Sequence, residues 1–336
     1  MPANTNTRVL IRNLPEERLQ ASDFEVVSSP MPEPVTGEVL CQTLAIGIGA
    51  GARAGLQGSA SYAGAPQTGI VMNGQTISRI IESKAPTLQA GDLVICGSGW
   101  QAYAVHPAKA VSKVSPIDDP AHYVGLLGTN GLTAYFGLLM VGEPKPGETV
   151  LVSAAAGSVG HLVGQIARIK GARVIGVTGS DDKGQRLVSE LGFDAYVNYK
   201  DGNFRGALKD AAPKGVDVYF DNTGGDVLGA ALFRMNTFGR IACCGVVSQY
   251  DTRNPAPGPK GVPGLLVNKR IRMQGFLVFD YADRYAEARQ NMLGWMKDGS
   301  LKVWQDEFKG LEKAPAAFVD LLAGGNLGTR VVRVSA

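Results

Sequence analysis

Histidine is nearly missing from this chain: three residues in 336, His106, His122 and His161. None has a Cys, Asp or Glu neighbour at ligand spacing and no Cys-x-x-Cys motif occurs, so neither a structural nor a catalytic zinc site is expected. Cysteine is almost as scarce. Cys41 and Cys96 are far apart in the sequence, while Cys243 and Cys244 are adjacent on a predicted strand, where neighbours point to opposite faces and do not bridge. Such cysteines read as reduced thiols, and the protein as cytoplasmic. Long apolar runs are lacking too, and residues 1–14 are polar with two arginines, so neither a membrane span nor a secretory leader is expected. Charge of one sign is not in excess: 33 basic against 30 acidic side chains give a net +3, with no Lys/Arg cluster and no interleaved aromatics. Nucleic acid is therefore excluded as a partner.

What is present is a globular composition, 45% apolar with 44 dispersed glycines, at a length for which two domains are the default. Residues 8–110 carry short β-type runs at 38–44, 75–82, 92–96 and 100–105 between Pro and Gly signals, which predicts an all-β, barrel-like unit. Trp100 and Tyr103 are expected to pack inside it, and residues 47–69, rich in Gly, Ala and Ser, to form a mobile loop. A different regime starts near residue 121, with helical spacing over 128–139. Strands are then predicted at 150–153, 173–177, 195–198, 216–220 and 240–245, alternating with helices at 158–170, 181–191, 203–212 and 226–236. Strand 271–279 and helix 281–297 complete a doubly wound parallel sheet. A last strand, 329–334, is expected to rejoin the β-rich unit.

The stretch Ala154-Ala155-Ala156-Gly157-Ser158-Val159-Gly160 follows a strand and opens a helix whose apolar residues fall at Val159, Leu162, Val163, Ile166 and Ala167. A strand that turns through small residues into a helix aims amides and the positive helix end at one spot, which suits a pyrophosphate. Only the last two glycines of the G-x-G-x-x-G fingerprint are present, with Ala155 in the first place. On the pattern alone, an ordinary βα turn is as good a reading. At the end of the second strand, where NAD binders place an acid, stands Thr178-Gly179-Ser180, with Lys183 one turn on. That pocket suits the 2′-phosphate of NADP, which carries about two negative charges. Asp181 and Asp182 either turn inward against it or act as dipole partners at a helix N-terminus. His161 reads as a surface or cofactor-edge residue, and Cys243 as core.

A hydride enzyme without zinc is suited to a conjugated acceptor: hydride goes to the β-carbon, and the charge collects as an enolate that needs a hydrogen-bond donor. The candidate donor is Tyr250, past the fifth predicted strand, where ligands of a doubly wound sheet lie. A phenol with a reference pKa of about 10 is protonated at neutral pH. Its alternative reading is a loop tyrosine packed near Pro255.

The motifs Gly131-Leu132-Thr133-Ala134-Tyr135-Phe136-Gly137, Ala154 to Gly160, Phe220-Asp221-Asn222-Thr223-Gly224-Gly225 and Asn326-Leu327-Gly328 resemble those of the zinc-independent medium-chain reductases. Within them, the sequence is most similar to the prostaglandin reductase, leukotriene 12-hydroxydehydrogenase and 2-alkenal (curcumin) reductase branch. The resemblance implies an α/β chain of two domains: a GroES-like β-barrel domain from residues 1–126 and 303–336, and a Rossmann NADP-binding domain from 127–302. It further implies NADPH-dependent reduction of enone and enal double bonds, and a homodimer. Quinone reduction is an alternative. A second is an inactive NADPH-binding structural or sensor protein, for which only the altered segment described below speaks. Cofactor contacts are implied for Gly157, Ser158, Val159, Gly160, Lys183, Tyr199, Asn222, Cys244, Gly245, Val246, Val247, Ser248, Tyr250, Phe276, Leu277, Val278 and Asn326, and Tyr250 is the implied catalytic residue. One departure stands out. The branch carries Val-Asp-Pro-Tyr-Met-Arg where this chain has Ile48-Gly49-Ala50-Gly51-Ala52-Arg53, so an aromatic of the substrate pocket is replaced by a small residue.

Overall fold

In the computed structural model, which describes residues 5–59, 64–255 and 257–334, the chain divides into two units. One holds Met1–Gly128, Gln305–Gly325 and Arg330–Ala336; the other holds Thr129–Trp304 and Asn326–Thr329. The first opens with β1 (Thr5–Ile11) and β2 (Phe24–Pro30), an antiparallel pair. Then follow β3 (Glu38–Ile48), α1 (Gly51–Gln57), β4 (Thr76–Ser83), β5 (Leu93–Cys96), β6 (Tyr103–Pro107) and β7 (Ser112–Val114). The predicted loop 47–69 is corrected over its first half. Strand β3 runs on to Ile48, and the Ala, Arg, Leu and Gln of 52–57, all good helix formers, wind α1 with Arg53, Ala54 and Leu56 buried. Residues 60–63 of that stretch lie outside the described residues.

The second unit begins with α2 (Thr129–Phe136), which continues as a π-helical turn, Gly137–Gly142. Its strands and helices then alternate: β8 (Thr149–Val152), α3 (Gly160–Ile169), β9 (Arg173–Thr178), α4 (Asp181–Leu191), β10 (Ala195–Asn198), α5 (Phe204–Ala211), β11 (Val216–Asp221), α6 (Gly225–Arg234) and β12 (Met235–Cys243). After α7 (Val262–Lys269) come β13 (Arg272–Gly275) and α8 (Tyr285–Lys297). The six strands form one sheet in the order β10-β9-β8-β11-β12-β13, and its five strand pairings are all parallel. In chain order that is 3-2-1-4-5-6, with the switch point between β8 and β11, where this fold class places its ligands. The predicted spacing on α3 does what it promised. Leu162, Val163, Ile166 and Ala167 are all buried, and each of the larger three stabilises the unit by about 1.5–3 kcal/mol.

Several boundaries differ from expectation for steric or pairing reasons. Helix 226–236 stops at Arg234, and β12 starts at Met235 because Met235 pairs with Val216 ahead of a register shift. Strand 271–279 is only Arg272–Gly275, since Phe276 turns its ring edge-on to Phe220, 6.2 Å between centroids, and against Gly137. A 3-10 stretch, Val278–Arg284, then occupies the predicted start of α8. Glycine is what lets such rings approach helices. A Cβ built on Gly164 of α3 would lie 1.9 Å from the Phe193 ring, and one on Gly184 of α4 would lie 2.0 Å from Tyr196.

The first unit is completed by β14 (Gln305–Lys309), α9 (Ala314–Leu322) and β15 (Thr329–Arg333), the predicted final strand, which pairs with β3. Its seven-stranded sheet runs β14-β15-β3-β4-β5-β7, with β6 on β3. Trp100 packs between Phe24 and Phe318, 5.2 and 5.8 Å between ring centroids, and Tyr103 is half-buried. Cys41 and Cys96, far apart in the sequence, meet in one buried cluster of this unit's core. All four cysteines are free.

Gly164→Val drives a branched side chain into the Phe193 ring and is expected to cost about 3 kcal/mol in denaturant unfolding. Adding Phe193→Ala opens the space, so the double variant should lose less than the sum of the two single losses.

Candidate functional site

Strand β8 is buried along its whole length and delivers the chain to a tight turn. Ala154 takes the left-handed conformation there, φ +47, one residue before the place where the fingerprint puts its first glycine. Ala155, fully buried, packs its methyl beneath Gly176. Helix α3 then starts hard against the turn: a Cβ on Gly160 would lie 2.3 Å from the Ala154 carbonyl oxygen. His161 N donates to Gly157 O (3.2 Å) and Val163 N to Val159 O (3.0 Å). The Ser158 amide faces Gly328 O in a parallel bridge, while those of Val159 and Gly160 make no backbone hydrogen bond among the described residues. Those two donors at a positive helix end suit an anion.

A short segment from late in the chain lines the same turn. Gly328 N donates to Ala156 O (2.8 Å), Ser158 Oγ donates to Gly328 O (3.2 Å), and Lys183 Nζ donates to Asn326 O (2.6 Å). The turn, Lys183 and Asn326, separated by 143 positions, are thus gathered in one place. His161 is corrected from a surface or cofactor-edge residue to a fully buried one. Its ring stacks on Trp304, 6.1 Å between centroids and 10° between planes. Its Nδ1 lies 2.8 Å from Gly157 O. A carbonyl only accepts, so Nδ1 carries the proton. Burial pushes the imidazole down to about 4, which keeps it neutral.

No carboxylate closes β9. Thr178 Oγ1 donates to Ser180 O (2.9 Å) and accepts from Ser180 N (3.0 Å), and Ser180 caps α4 by accepting from Lys183 N (3.2 Å). Asp181 accepts from Asn198 Nδ2 (3.4 Å), and Asp182 lies within electrostatic reach of Arg186. Tyr199, just past β10 and 46% exposed, lays its ring beside Gly179, whose added Cβ would meet Cε1 at 3.0 Å. Lys200 Nζ stands 6.0 Å from that ring. Sequence reasoning missed Lys200; its signal was a second cation directly after Tyr199.

The ends of β11 and β12 are joined by a ladder that outlasts the sheet. Cys244 N and Gly245 N donate to Asp221 O, Val247 N to Asn222 O and Ser248 N to Thr223 O, at 2.8, 3.1, 3.2 and 3.1 Å. Predicted strand 240–245 therefore ends at Cys243. Asn222 donates Nδ2 to Ser153 O (2.8 Å), while its own amide donates to Ser153 Oγ (2.9 Å). Tyr250 lies over this loop: a Cβ on Gly245 would be 3.8 Å from its Oη. Asp221 and Ser153, absent from the sequence-derived set, anchor the loops. Cys243 is half-buried rather than core, and burial with the nearby Asp221 charge raises its thiol to about 11 and that of Cys244 to about 12. Beyond β13, Phe276 and Val278 turn inward, whereas Leu277 is exposed.

The sequence-derived set thus falls into order. It lies just past the carboxyl ends of β8, β9, β10, β11, β12 and β13, with Asn326 beside the first. Among the described residues no group of three or more His, Cys, Asp or Glu could hold a metal. No helix among them is long and apolar enough to cross a membrane. In the first unit, the altered segment leaves space: Cβ atoms built on Gly49 and Gly51 meet nothing within 4 Å among the described residues. Arg53 is fully buried and donates Nη2 to Glu17 O (2.6 Å).

Comparison with known proteins agrees with this geometry. The family described as zinc-binding dehydrogenase matches residues 158–297, and the one described as N-terminal domain of oxidoreductase matches residues 7–114. The chain is 38% identical over 335 residues to the NADPH-dependent curcumin reductase of Escherichia coli, covering 98% of this chain and 97% of that one. It is likewise 38% identical to the NADP(+)-dependent 2-alkenal reductase of Nicotiana tabacum, covering 98% of each. Among solved structures, CurA of Vibrio vulnificus in complex with NADPH superposes with a TM-score of 0.94 at 35% identity, over 98% of this chain and 99% of that one.

The His161 ring yields a pH test. The unfolded chain takes up its proton near 6.5 and the folded one only near 4, so stability falls as pH drops through that window. The loss should reach about 2 kcal/mol by pH 5, above the carboxylate range. His161→Phe, which keeps a ring on Trp304, should flatten that slope in denaturant titrations; an unchanged slope would assign it to another group.

Proposed function

The chain belongs to the medium-chain dehydrogenase/reductase family, in its alkenal and prostaglandin reductase branch, and from there we propose that it reduces the carbon–carbon double bond of enones and enals with NADPH. The observation that carries the proposal is the placement of the sequence-derived residues past six parallel strand ends, around a turn whose amides face outward. The residues fit the cofactor. The amides of Val159 and Gly160 suit its pyrophosphate, at a helix start that a Cβ on Gly160 would push off the Ala154–Ala155 backbone. Lys183, Tyr199 and Lys200, with no acid closing β9, suit a 2′-phosphate and disfavour a bare 2′-hydroxyl. Asn222, the loop 244–248, residues 276–278 and Asn326 hold the remainder.

NADPH bound there supplies hydride to the β-carbon. Tyr250 donates its phenolic hydrogen bond to the substrate carbonyl, a bond that strengthens as negative charge gathers on that oxygen. The α-carbon then takes a proton from Tyr250 or from water. Burial and the Asp221 charge keep the Cys243 and Cys244 thiols neutral, so they neither compete as nucleophiles nor titrate near neutral pH. We also propose a homodimer, supported by the exposed apolar side chains of Phe238, Val267 and Phe279 on the elements around edge strand β13.

Enones, enals and quinones offered with NADPH, with absorbance of the reduced nicotinamide followed, test the reading. Turnover of enones or enals is expected; turnover of quinones alone, or of nothing, contradicts it. Tyr250→Phe should lower kcat about 100-fold with NADPH affinity unchanged. Gly51→Tyr, which enters open space, should leave stability within about 0.5 kcal/mol of the parent while shifting preference among acceptors by ring size.

A further inference from the structure

Asp221 is a carboxylate only 2% exposed, and its close partners are hydroxyls and main-chain amides. Five donors converge on Oδ1: Tyr219 Oη (2.8 Å), Thr223 N (3.0 Å), Gly224 N (2.8 Å) and, more distantly, Ser153 Oγ and Thr223 Oγ1 (3.4 Å each). The Tyr219 phenol reaches it because positions 219 and 221 share one face of β11. Desolvation and the neighbouring charge raise Tyr219 well above the usual phenol range, so it remains a donor. The main-chain carbonyl of Asp221 meanwhile accepts from Cys244 N and Gly245 N. One residue therefore holds the loop after β11 through its side chain and the loop after β12 through its backbone. Ser153, which also binds both Asn222 amides, ties the end of β8 to the same point.

Burying a carboxylate is costly unless donors compensate it. Here the donors are the loops themselves, and Gly224 and Gly225 adopt consecutive positive φ values, +65 and +56, directly beneath it. We infer that Asp221 is a positioning residue for NADPH: it fixes residues 222–224 and 244–248 in the register in which they meet the cofactor. Through Val247, whose carbonyl accepts from Tyr250 N (3.1 Å), it also sets the height of the phenol. This inference rests on the reading that both loops line the cofactor. Tyr219 contributes by fixing the carboxylate.

The test uses the full chain with Asp221→Ala, Asp221→Asn and Tyr219→Phe, reading hydrogen exchange over 222–225 and 244–250 beside separate kcat and KM values for NADPH. Asp221→Ala should lose exchange protection in both loops, raise the NADPH KM about tenfold and lower kcat by a similar factor. Asp221→Asn, which keeps an acceptor oxygen, should restore both constants to within about threefold. Tyr219→Phe should fall between them, and it carries the test if the alanine variant does not fold. Parent-like protection in Asp221→Ala, or an asparagine variant as impaired as the alanine one, overturns the assignment and leaves the cofactor reading of the loops standing. Lost protection with unchanged kcat and KM overturns the cofactor reading itself.

Discussion

The contact between Gly160 and the Ala154 carbonyl, too close for any Cβ, is the constraint on which the rest of the second unit depends. Because the helix begins there, the amides of Val159 and Gly160 have no carbonyl behind them among the described residues and face outward. Because the turn is so tight, Ala154 is held in a left-handed conformation that costs an alanine about 1–2 kcal/mol. The neutral His161 ring, donating to Gly157 O and stacked on Trp304, braces the turn from inside. Gly328 closes it from the other side. The proposed dinucleotide site is thereby assembled from backbone geometry, with side chains adding selectivity at its edges.

Charge is distributed unequally around that frame. At the end of β9 and β10 stand ammonium groups and hydroxyls, with Asp181 turned to Asn198. At the end of β11 stands a buried carboxylate held by hydrogen bonds. The first arrangement attracts a phosphate; the second orders loops and keeps two neighbouring thiols protonated. Neither needs a metal ligand, which accords with the poverty of histidine in the chain.

Much of this was legible in the sequence wherever a feature is periodic or local. The α3 stripe at Leu162, Val163 and Ile166, the alternation of strands and helices, and the neutral tripeptide Thr178-Gly179-Ser180 each report their own surroundings. Lys183 was legible one turn past that tripeptide, whereas the resemblance supplied Tyr199 and Asn326, whose roles depend on residues far away. What stayed hidden is long-range or sterically subtle. His161 is buried because Trp304, from the far end of the unit, covers it. Cys41 meets Cys96 only once the sheet of the first unit forms. Helix α1 hides in a run of small residues that reads as a loop. Asp221 looks like one letter of a motif until five donors are seen to converge on one of its oxygens.

The central claim is that the residues past the six strand ends direct hydride to the β-carbon of a conjugated acceptor. Its most direct measurement follows deuterium from NADPH labelled at nicotinamide C4 into the product of an enone, with the reaction run in ordinary water and analysed by NMR. The account predicts one deuterium at the β-carbon, in a single stereochemical sense, and a solvent hydrogen at the α-carbon. Deuterium at the carbonyl carbon, or in neither position while NADPH is consumed, would contradict it.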